Sequence, residues 1–449
     1  MMHRLTAVML ALALLAAACG DDDSEVSDDA TTTTSTTEAP ADEPIDDGTD
    51  DDPPTPIEPE VVEPTATDTG VTESVIRIGA VFPDTALIGR DPGDLEAKFQ
   101  VMVDSINDAG GINGRMLEMT FRLANPLDDT AFEAACIELT EDVEVFATLG
   151  LFPRSNADCY GALNDTIVIN TFGITTESLA DYTATGITLL AHPARLVEAR
   201  IDALIEGGVL RSGMPVAVHG TVQAEDAHAA YIAALTAAGL DVVADTIGQF
   251  DGQDQVALET EMVRFTEVWN ASGAEAVLAS ASLISQALLI GYNGGDIDLP
   301  MILPEGTGVS PSLLESQFGL DLAPFALAIA LVEGDDQATK YETGADGVRE
   351  CVDRFQDASG EEVALDESRN NLGATVVACQ VFDIFSQIAT AAGVNLTTES
   401  FGAAAEAFGP ITVTDLTSAS LGPDKFDLND SVGVIGEFNA ESVQFQPVA

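Results

Sequence analysis

Positively charged side chains are scarce in this sequence. Its 449 residues include 16 Lys and Arg against 76 Asp and Glu, which gives a formal net charge of -60 at pH 7. Proteins that bind nucleic acids neutralise phosphates with clustered basic side chains, so this composition excludes nucleic acid as a partner. The excess of acids is typical of a solvated surface that keeps an exported protein soluble.

Recognised catalytic and metal-binding motifs are also lacking. The chain has no G-x-S-x-G, no H-E-x-x-H, no phosphate-binding P-loop and no acid pair with a defined spacing. It has no C-x-x-C, and His192, His219 and His228 show no metal-ligand spacing with any Cys. We therefore predict that the protein is not an enzyme and that it needs no cofactor and no metal.

Cysteine is used sparingly. Apart from Cys19 there are four, and they fall into two local pairs, Cys136 with Cys159 and Cys351 with Cys379. Four cysteines allow three connectivities. Pairing between neighbours closes two short loops, each of which stabilises the fold by roughly 3 kcal/mol in the chain-entropy model. Such pairing agrees with an exported protein.

No apolar run near the N-terminus is long enough to span a membrane. The run over residues 5–18 is short and ends directly before Cys19, as in a secretory signal. The small residues before Cys19 resemble the lipobox of bacterial lipoproteins, in which the Cys is lipidated, although Ala16 stands where Leu is usual. We predict a signal peptide over residues 1–18 and lipidation of Cys19, with ordinary cleavage nearby as the alternative.

The segment after Cys19 is acidic and almost free of large apolar side chains. Residues 20–74 contain nineteen Asp or Glu, no Lys or Arg, repeated Pro and a Thr-rich run at 31–37. Such a composition cannot bury enough apolar surface to fold, so residues 19–74 are predicted to form a disordered tether at the outer face of the membrane. As a flexible coil it averages roughly 40 Å end to end.

The folded part begins with a strand, a helix and a second strand. Residues 74–81 and 116–123 favour strands, and between them apolar side chains recur at helical spacing: Leu95, Phe99, Met102, Val103 and Ile106. Asp91 is predicted to cap this helix, with Pro92 at its first position. A connection of this kind is right-handed and leaves the two strands parallel.

Glycines mark the end of that helix and the turn that follows it. Gly110 or Gly111 can adopt the left-handed conformation that closes a helix, and Asn113 with Gly114 suits a turn that needs positive φ. The alternation of strand and helix then continues and crosses into a second domain near residues 186–195. We predict an α/β fold built of doubly wound parallel sheets.

Two segments of the first unit resemble a known family. Ser-Val-Ile-Arg-Ile-Gly-Ala-Val-Phe-Pro at 74–83 and Ile-Asn-Asp-Ala-Gly-Gly-Ile-Asn-Gly-Arg at 106–115 are similar to the start of type I periplasmic binding proteins. Among these, they resemble the branched-chain amino acid (Leu/Ile/Val) binding proteins of ABC transporters. The placement of Cys136 and Cys159 also resembles a disulfide of those proteins.

The resemblance implies two doubly wound parallel-sheet lobes joined by three crossovers, with a ligand closed between them. The crossovers are expected near residues 191–194, 320–324 and 415–420. The first lobe then comprises residues 75–192 and 323–417. The second comprises residues 193–322 and 418–449.

Ligands of open parallel sheets bind beyond the carboxyl ends of the strands, where helix N-termini present free N–H groups. In the resembling family, a Ser and a Thr from such first-lobe loops hold an amino-acid carboxylate. The matching candidates are Ser155 and either Thr171 or Thr175, and Arg154 either adds positive charge or is a solvated loop residue.

The resemblance also implies one acid in the second lobe. Relatives bind a ligand ammonium with an acid in a Pro-Glu-Gly-x-Gly segment, and this chain has that segment at residues 304–308, which makes Glu305 the candidate. The alternative is a helix-capping or surface acid. Relatives usually end a neighbouring strand with Tyr-Asp, whereas this chain has His219-Gly220. An aromatic wall is therefore absent, and the ligand can differ from Leu, Ile or Val.

Two further side chains are weighed between a ligand role and an ordinary one. His219 is predicted at the rim of the cleft, where it can bond a ligand or respond to pH, with a structural role as the alternative. Phe82, with Phe152 and Phe172, either lines an apolar pocket or belongs to the core.

These features together predict an extracytoplasmic solute-binding lipoprotein. Its ligand would be an amino acid, an amide or a small carboxylate, and its partner an ABC permease complex. The alternative is a ligand-sensing or cell-surface lipoprotein with the same fold and no transport role. The sequence alone does not separate these two functions.

Overall fold

The computed structural model describes most of the chain after the acidic segment. The described residues are 64–88, 93–125, 128–152, 154–171, 174, 176–192, 194–222, 225–249, 255–280, 299–304, 328–364, 370–439 and 444–448. Within them, strands and helices alternate over the first half of the chain, and a group of helices followed by short strands completes it.

The first sheet has five parallel strands in the order β2-β1-β3-β4-β5. Its strands are β1 (Val75–Pro83), β2 (Met116–Ala124), β3 (Ala147–Gly150), β4 (Ile167–Asn170) and β5 (Gly186–Thr188). The helices between them are α1 (Leu95–Asp108), α2 (Asp129–Ile137), α3 (Asp158–Gly161) and α4 (Thr176–Asp181). The predicted doubly wound parallel sheet is thus confirmed for the first lobe.

The first βαβ unit is close to its prediction. β1 and β2 pair in parallel from Val75 opposite Met116 to Pro83 opposite Ala124. Gly111 has φ +73° and approaches the carbonyl of Arg115 so closely that a Cβ would lie 2.0 Å from that oxygen, so only glycine fits there.

The predicted start of α1 is wrong. The helix begins at Leu95, and its N-cap is Asp94, which has φ 55° and whose side chain makes no capping hydrogen bond. Asp91 and Pro92 lie outside the described residues. The Asp-Pro pattern therefore indicated a helix start several residues too early.

The second sheet has seven strands in the order β14-β13-β10-β9-β8-β6-β7. Its strands are β6 (Pro215–Thr221), β7 (Asp241–Gly248), β8 (Ala276–Ala279), β9 (Met301–Leu303), β10 (Ile329–Val332), β13 (Val434–Asn439) and β14 (Gln444–Pro447). Strands β6 to β10 are parallel, and β13 and β14 add antiparallel strands at one edge. Among the described residues, α5 (Val197–Glu206) precedes β6, α6 (Glu225–Ala237) joins β6 to β7, and α7 (Gln255–Ser272) joins β7 to β8.

Four helices after β10 return to the first sheet. They are α8 (Gln337–Thr343), α9 (Val348–Ser359), α10 (Asn370–Ala392) and α11 (Thr398–Ala407), and they are followed by a small hairpin of β11 (Gly409–Pro410) and β12 (Ser420–Leu421). Buried side chains of these helices, including Phe355, Phe382 and Phe401, share one core with β1 and α1. Helix α10 is long and apolar enough to cross a membrane, but most of it is buried in this core.

Two of the three crossovers lie at other positions than the sequence predicted, as the sheet to which each strand belongs shows. The first connection between the two sheets runs from the end of β5 at Thr188 to the start of α5 at Val197. The second follows β10, whose last residue is Val332, because β10 belongs to the second sheet; residues 320–324 lie outside the described chain. The third lies between Leu428, which is in the core of the first lobe, and β13.

Both local cysteine pairs form disulfides. Cys136 joins Cys159 and Cys351 joins Cys379, with sequence separations of 23 and 28. The first links α2 to α3, and the second links α9 to α10. Each disulfide therefore fastens two helices that pack on the first sheet.

The folded domain starts before residue 75, where the tether was predicted to end. Val71 is fully buried in the core of the first lobe. The backbone N–H of Arg77 donates to the carbonyl of Gly70, and Asp68 accepts from the N–H of Thr398 on α11. The last residues of the predicted tether, 64–74, are thus a docked part of the first lobe.

Arg115 holds this docked segment in place. Its side chain is fully buried, and it donates from Nε to the carbonyl of Thr72 and from Nη2 to the carbonyl of Thr65, each at 2.7 Å. Its third nitrogen, Nη1, is buried without a hydrogen-bond partner. Burial lowers the pKa of this guanidinium, the expected direction for a cation removed from water.

We expect Arg115→Met to release the docked segment and to lower the free energy of unfolding by about 2–4 kcal/mol, since two charge-assisted hydrogen bonds are lost. Urea unfolding measures the loss, and hydrogen exchange at the amides of Thr67 and Val71 reports the release. Arg211→Met is the control, because Arg211 makes an exposed ion pair with Glu275 that contributes at most about 1 kcal/mol. Equal losses in the two variants would contradict this assignment.

Candidate functional site

The carboxyl ends of the parallel strands form the edge at which a ligand is expected. In the first lobe this edge carries a 3-10 helix after β1 (Thr85–Ile88), a second one after β3 (Arg154–Ala157), and α4 after β4. In the second lobe the same edge is formed by the residues that follow β6, β8 and β9. Helical turns therefore begin directly beyond three strands of the first sheet.

Arg154 and Ser155 lie in the 3-10 helix that follows β3. The loop leading to them is fastened by Asn170, the last residue of β4, whose side chain accepts from the N–H of Phe152 and donates to its carbonyl. Asn170 is fully buried, and it sets the distance between two of the ligand-edge loops. The sequence offered no signal for this residue other than a polar side chain at the end of an apolar strand.

Thr171 follows Asn170 directly. Its backbone N–H and its hydroxyl both donate to the carbonyl of Gly150, at 2.8 and 3.1 Å. The hydroxyl oxygen retains lone pairs, but its proton is already used within the lobe. The other two ligand candidates, Thr175 and Glu305, lie outside the described residues.

Phe82 is a core residue. Its ring is nearly fully buried, and it packs against Phe99 and Phe121, with ring centroids 5.1 and 6.0 Å away. Phe152 is likewise fully buried, and its ring lies 5.2 Å from that of Tyr160. These contacts agree with the alternative given above for Phe82 and Phe152, that both belong to the core.

His219 lies in the interior of the second lobe and not at a cleft rim, which corrects the sequence-based expectation. Its ring is fully buried between Phe265 and Trp269, at centroid distances of 5.0 and 5.3 Å, and Nδ1 is 3.1 Å from the Thr246 hydroxyl. Burial, reinforced by nearby His228, lowers the pKa of His219 to about 3. The ring is therefore uncharged at neutral pH and fills space beside the single tryptophan.

A hydrogen-bonded chain that the sequence did not reveal lies beside His219. Asp245 Oδ1 is 2.7 Å from His228 Nε2, and His228 Nδ1 is 2.5 Å from the hydroxyl of Ser280. Ser280 is the first residue beyond β8, and its hydroxyl also donates to the carbonyl of His219 at 3.1 Å. The only trace of this chain in the sequence is the glycine at position 220. The structure explains this glycine, because a Cβ there would lie 2.4 Å from the His228 ring nitrogen.

Three large apolar side chains at the ligand edge remain open to solvent. Leu87 follows β1 and is 59% exposed, Leu190 follows β5 and is 39% exposed, and Val222 follows β6 and is 38% exposed. Both lobes therefore present apolar surface next to the polar ends of helical turns. A ligand with an apolar body and a polar or anionic group fits this combination.

The crossovers are tied together by charged side chains. Arg195, in the first crossover, donates to the carboxylates of Asp427 and Asp430 and to the carbonyl of Asn429. Asn429 in turn donates to Glu333, the first residue after β10. One connected set of hydrogen bonds therefore joins all three connections between the lobes.

Two carboxyl groups of this set differ in their surroundings. Burial works to raise the pKa of Asp430, but the bond from Ser420 and the charges of Lys425 and Arg195 outweigh it and hold that pKa below its usual range. At Glu333 burial dominates and raises the pKa. The surroundings of Asp430 thus stabilise its charged form, whereas the charged form of Glu333 lowers the stability of the folded protein.

These features define a fold of two α/β lobes with three connections, which is the type I periplasmic binding protein fold. No protein-family description and no curated protein sequence matches the chain. Solved structures do match.

One similar structure is a putative branched-chain amino acid ABC transporter protein from Rhodospirillum rubrum, with 15% identity and a TM-score of 0.53, covering 83% of this chain and 100% of that one. Another is a substrate-binding protein from Desulfitobacterium hafniense in complex with Leu, with 12% identity and a TM-score of 0.55, covering 84% and 100%. A third is a solute-binding protein from R. palustris in complex with 4-hydroxybenzoate, with 15% identity and a TM-score of 0.58, covering 84% and 96%. The TM-scores and coverages show a shared fold, and at these identities they show the fold alone.

We expect Glu333→Gln to raise the free energy of unfolding at about pH 8. This gain in stability should become smaller as the pH falls toward about 5. A raised folded-state pKa means that ionised Glu333 costs stability above that pKa and that the cost disappears on protonation. Glutamine keeps the acceptor for Asn429 without the charge. Urea unfolding at both pH values measures the difference.

Glu342→Gln, at an exposed position on α8, is the matched control for this change. It should leave the unfolding free energy within about 0.5 kcal/mol of wild type at both pH values. A destabilised Glu333→Gln protein at the higher pH would contradict the role given to burial.

Proposed function

We propose that the protein is an extracytoplasmic solute-binding lipoprotein, which closes its two lobes on a small ligand and delivers it to an ABC importer. The observation that carries this proposal is the pair of α/β lobes whose three connections are held by one hydrogen-bonded set at Arg195. Two bodies joined in this way can rotate about a short hinge, which is the motion that solute capture needs.

The ligand edge supports a carboxylate with an apolar body. The 3-10 helix that contains Arg154 and Ser155 is the proposed site for an anionic group, the Thr171 hydroxyl keeps lone pairs that can accept from a ligand, and Leu87, Leu190 and Val222 offer apolar contact. Thr175 completes the proposed first-lobe set, and Glu305 is proposed for a ligand ammonium. The similar structures were solved with Leu and with 4-hydroxybenzoate, which both carry a carboxylate on an apolar body.

Isothermal titration of residues 64–449 with L-leucine, 4-hydroxybenzoate and octanoate tests this function, after native mass spectrometry has shown whether a ligand copurifies. We expect Glu305→Gln to weaken leucine roughly tenfold or more, because the proposed partner of the ammonium loses its charge. The same change should leave the two ligands without an ammonium nearly unaffected.

Glu118→Gln is the control for that variant, because the Glu118 side chain is exposed on β2. Absence of binding across these three ligands and a wider set of amino acids and amides would count against solute capture. Equal weakening of all ligands by Glu305→Gln would remove the ammonium role while leaving the function in place.

We further propose that Cys19 carries the lipid that holds the protein at the outer face of the cytoplasmic membrane. Cys19→Ser should move the protein from the membrane fraction to the soluble extracytoplasmic fraction, since the remaining acidic segment has no affinity for anionic lipid. Cell fractionation with an antibody against the folded domain measures this. An unchanged membrane fraction in Cys19→Ser would rule out the lipid anchor.

A further inference from the structure

Strand β2 forms the outer edge of the first sheet and, within the described part of the chain, pairs with β1 alone. The N–H of Met116 donates to the carbonyl of Ser74, just before β1, so the backbone groups of the even-numbered residues of β2 point toward β1. Those of residues 117, 119, 121 and 123 therefore point away from the sheet. A nine-residue strand with one open side is a template for pairing with another strand.

Side chains occupy part of this open side. The Asn107 side chain, near the end of α1, accepts from the N–H of Leu117 at 2.7 Å and donates to its carbonyl at 3.0 Å. Arg122 Nη1 donates to the carbonyl of Phe121 at 2.7 Å. The backbone of Leu117 is thus already paired, and the part of the edge that can accept another strand begins at Met119.

The sequence of β2 is complementary to itself when two copies run in opposite directions. The strand reads Met-Leu-Glu-Met-Thr-Phe-Arg-Leu-Ala. An antiparallel copy centred on Thr120 places each Glu118 opposite Arg122 of the other copy, and each Met119 opposite Phe121. Opposite charges that face each other across an antiparallel pair are favourable, and like charges in these places are unfavourable.

Both charged side chains are available for this contact. Glu118 is largely exposed, and its ion pair with Arg77 is long, at 3.7 Å. Arg122 binds Glu138 through Nε and Nη2, which leaves Nη1 with one proton for the Phe121 carbonyl and a second for another acceptor. A carboxylate from a second copy can therefore bind Arg122 without displacing the contacts within the chain.

The backbone permits the same alignment. With Thr120 opposite itself, Met119 and Phe121 of the two copies exchange N–H to carbonyl hydrogen bonds in both directions, because these groups all point outward. The Phe121 carbonyl has a second lone pair beside the one that Arg122 uses. Thr120 then occupies a non-hydrogen-bonded position on the twofold axis, where side chains of opposed strands lie closest.

Neighbouring alignments are less favourable. Centring the pair on Met119 requires the backbone of Leu117, which Asn107 already occupies. Centring it on Phe121 removes the pairs of opposite charge and brings the two Arg122 side chains to diagonal positions within reach of each other. The charges and the Asn107 contact thus select the alignment about Thr120.

Exposed apolar side chains flank this edge. Met116 and Leu123 stand near the two ends of β2, and Ile137 on α2 directly precedes Glu138, which binds Arg122. Met116, Leu123 and Ile137 are 43%, 45% and 46% exposed. Pairing through β2 therefore removes apolar surface from water in addition to joining the two backbones.

We propose that β2 is a dimerisation edge, at which two copies of this chain pair antiparallel about Thr120 and join their first sheets into one continuous sheet. This inference goes beyond the proposed function and is tested without ligand. Because the paired strands run in opposite directions, the ligand edges of the two copies lie at opposite ends of the joined sheet. Ligand affinity should therefore be equal in monomer and dimer.

Analytical ultracentrifugation over the micromolar concentration range measures the association. The full chain is used with Cys19→Ser, at physiological salt, because the negative charge of the chain opposes association and is screened there beyond about 8 Å. Glu118→Arg and Arg122→Glu should each weaken the dimer roughly tenfold or more, since each replaces two pairs of opposite charge by two pairs of like charge. An equimolar mixture of the two variants should restore association, because the mixed dimer regains both pairs of opposite charge.

Glu275→Arg is the matched control for the charge variants. Glu275 is an exposed acid of the second lobe that pairs with Arg211, and its reversal should leave the association unchanged. Circular dichroism verifies that each variant keeps its fold.

A cysteine at position 120 gives an independent measurement. In the proposed dimer the two Cα atoms of Thr120 lie about 4.5 Å apart, which is within the range that a disulfide spans. Mild oxidation of Thr120→Cys in the Cys19→Ser chain should therefore link two copies, since the other four cysteines already form disulfides. Thr236→Cys, at an exposed position on α6, is the control and should remain unlinked.

Each contrary outcome overturns the proposal. A chain that stays monomeric over the whole micromolar range, or a Thr120→Cys variant that forms no linked dimer, shows that the edge does not pair as described. A dimer that neither charge variant weakens uses another surface. Association that is lost in both variants and not recovered in their mixture shows that the charges act within one chain and not across the edge. These results leave solute binding untouched, because the titrations with ligand measure it separately.

Discussion

The contact of Arg195 with Asp427 and Asp430 is the interaction on which the arrangement of the lobes depends. It joins residues more than two hundred positions apart and fixes where the chain leaves the first sheet and where it finally returns to the second. Because the first lobe is assembled from two separated stretches of chain, its core can close only when this return path is in place. The hinge and the core of the first lobe therefore have to form together when the protein folds.

Local sequence patterns were sufficient for elements whose contacts are local. The strands predicted at residues 74–81 and 116–123 lie at Val75–Pro83 and Met116–Ala124, and the turn at Asn113 and Gly114 has the positive φ that those residue types favour. The crossovers were harder to place. Their positions depend on pairings such as that of Thr188 with Asp427, and no short-range pattern encodes a partner so distant in sequence.

The candidate site divides in the same way. The sequence indicated which loops lie at the ligand edge, because strand order and direction follow from the alternation of strand and helix. It did not indicate the surroundings of His219 or the partners of His228, because these depend on side chains from β6, β7, the end of β8 and two helices meeting in one place. Gly220 is needed at this place because a side chain there would collide with His228 and Ser280.

The docking of residues 64–74 by Arg115 determines which lobe the upstream chain enters. The chain enters through the first lobe and is fastened there by two buried hydrogen bonds, so the first lobe is continuous with whatever lies upstream. In the lobe closure proposed above, the second lobe, together with His228 and the single tryptophan, moves relative to this docked segment. A label on the second lobe would then move relative to residues 64–74, whereas a label on the first lobe would stay with them.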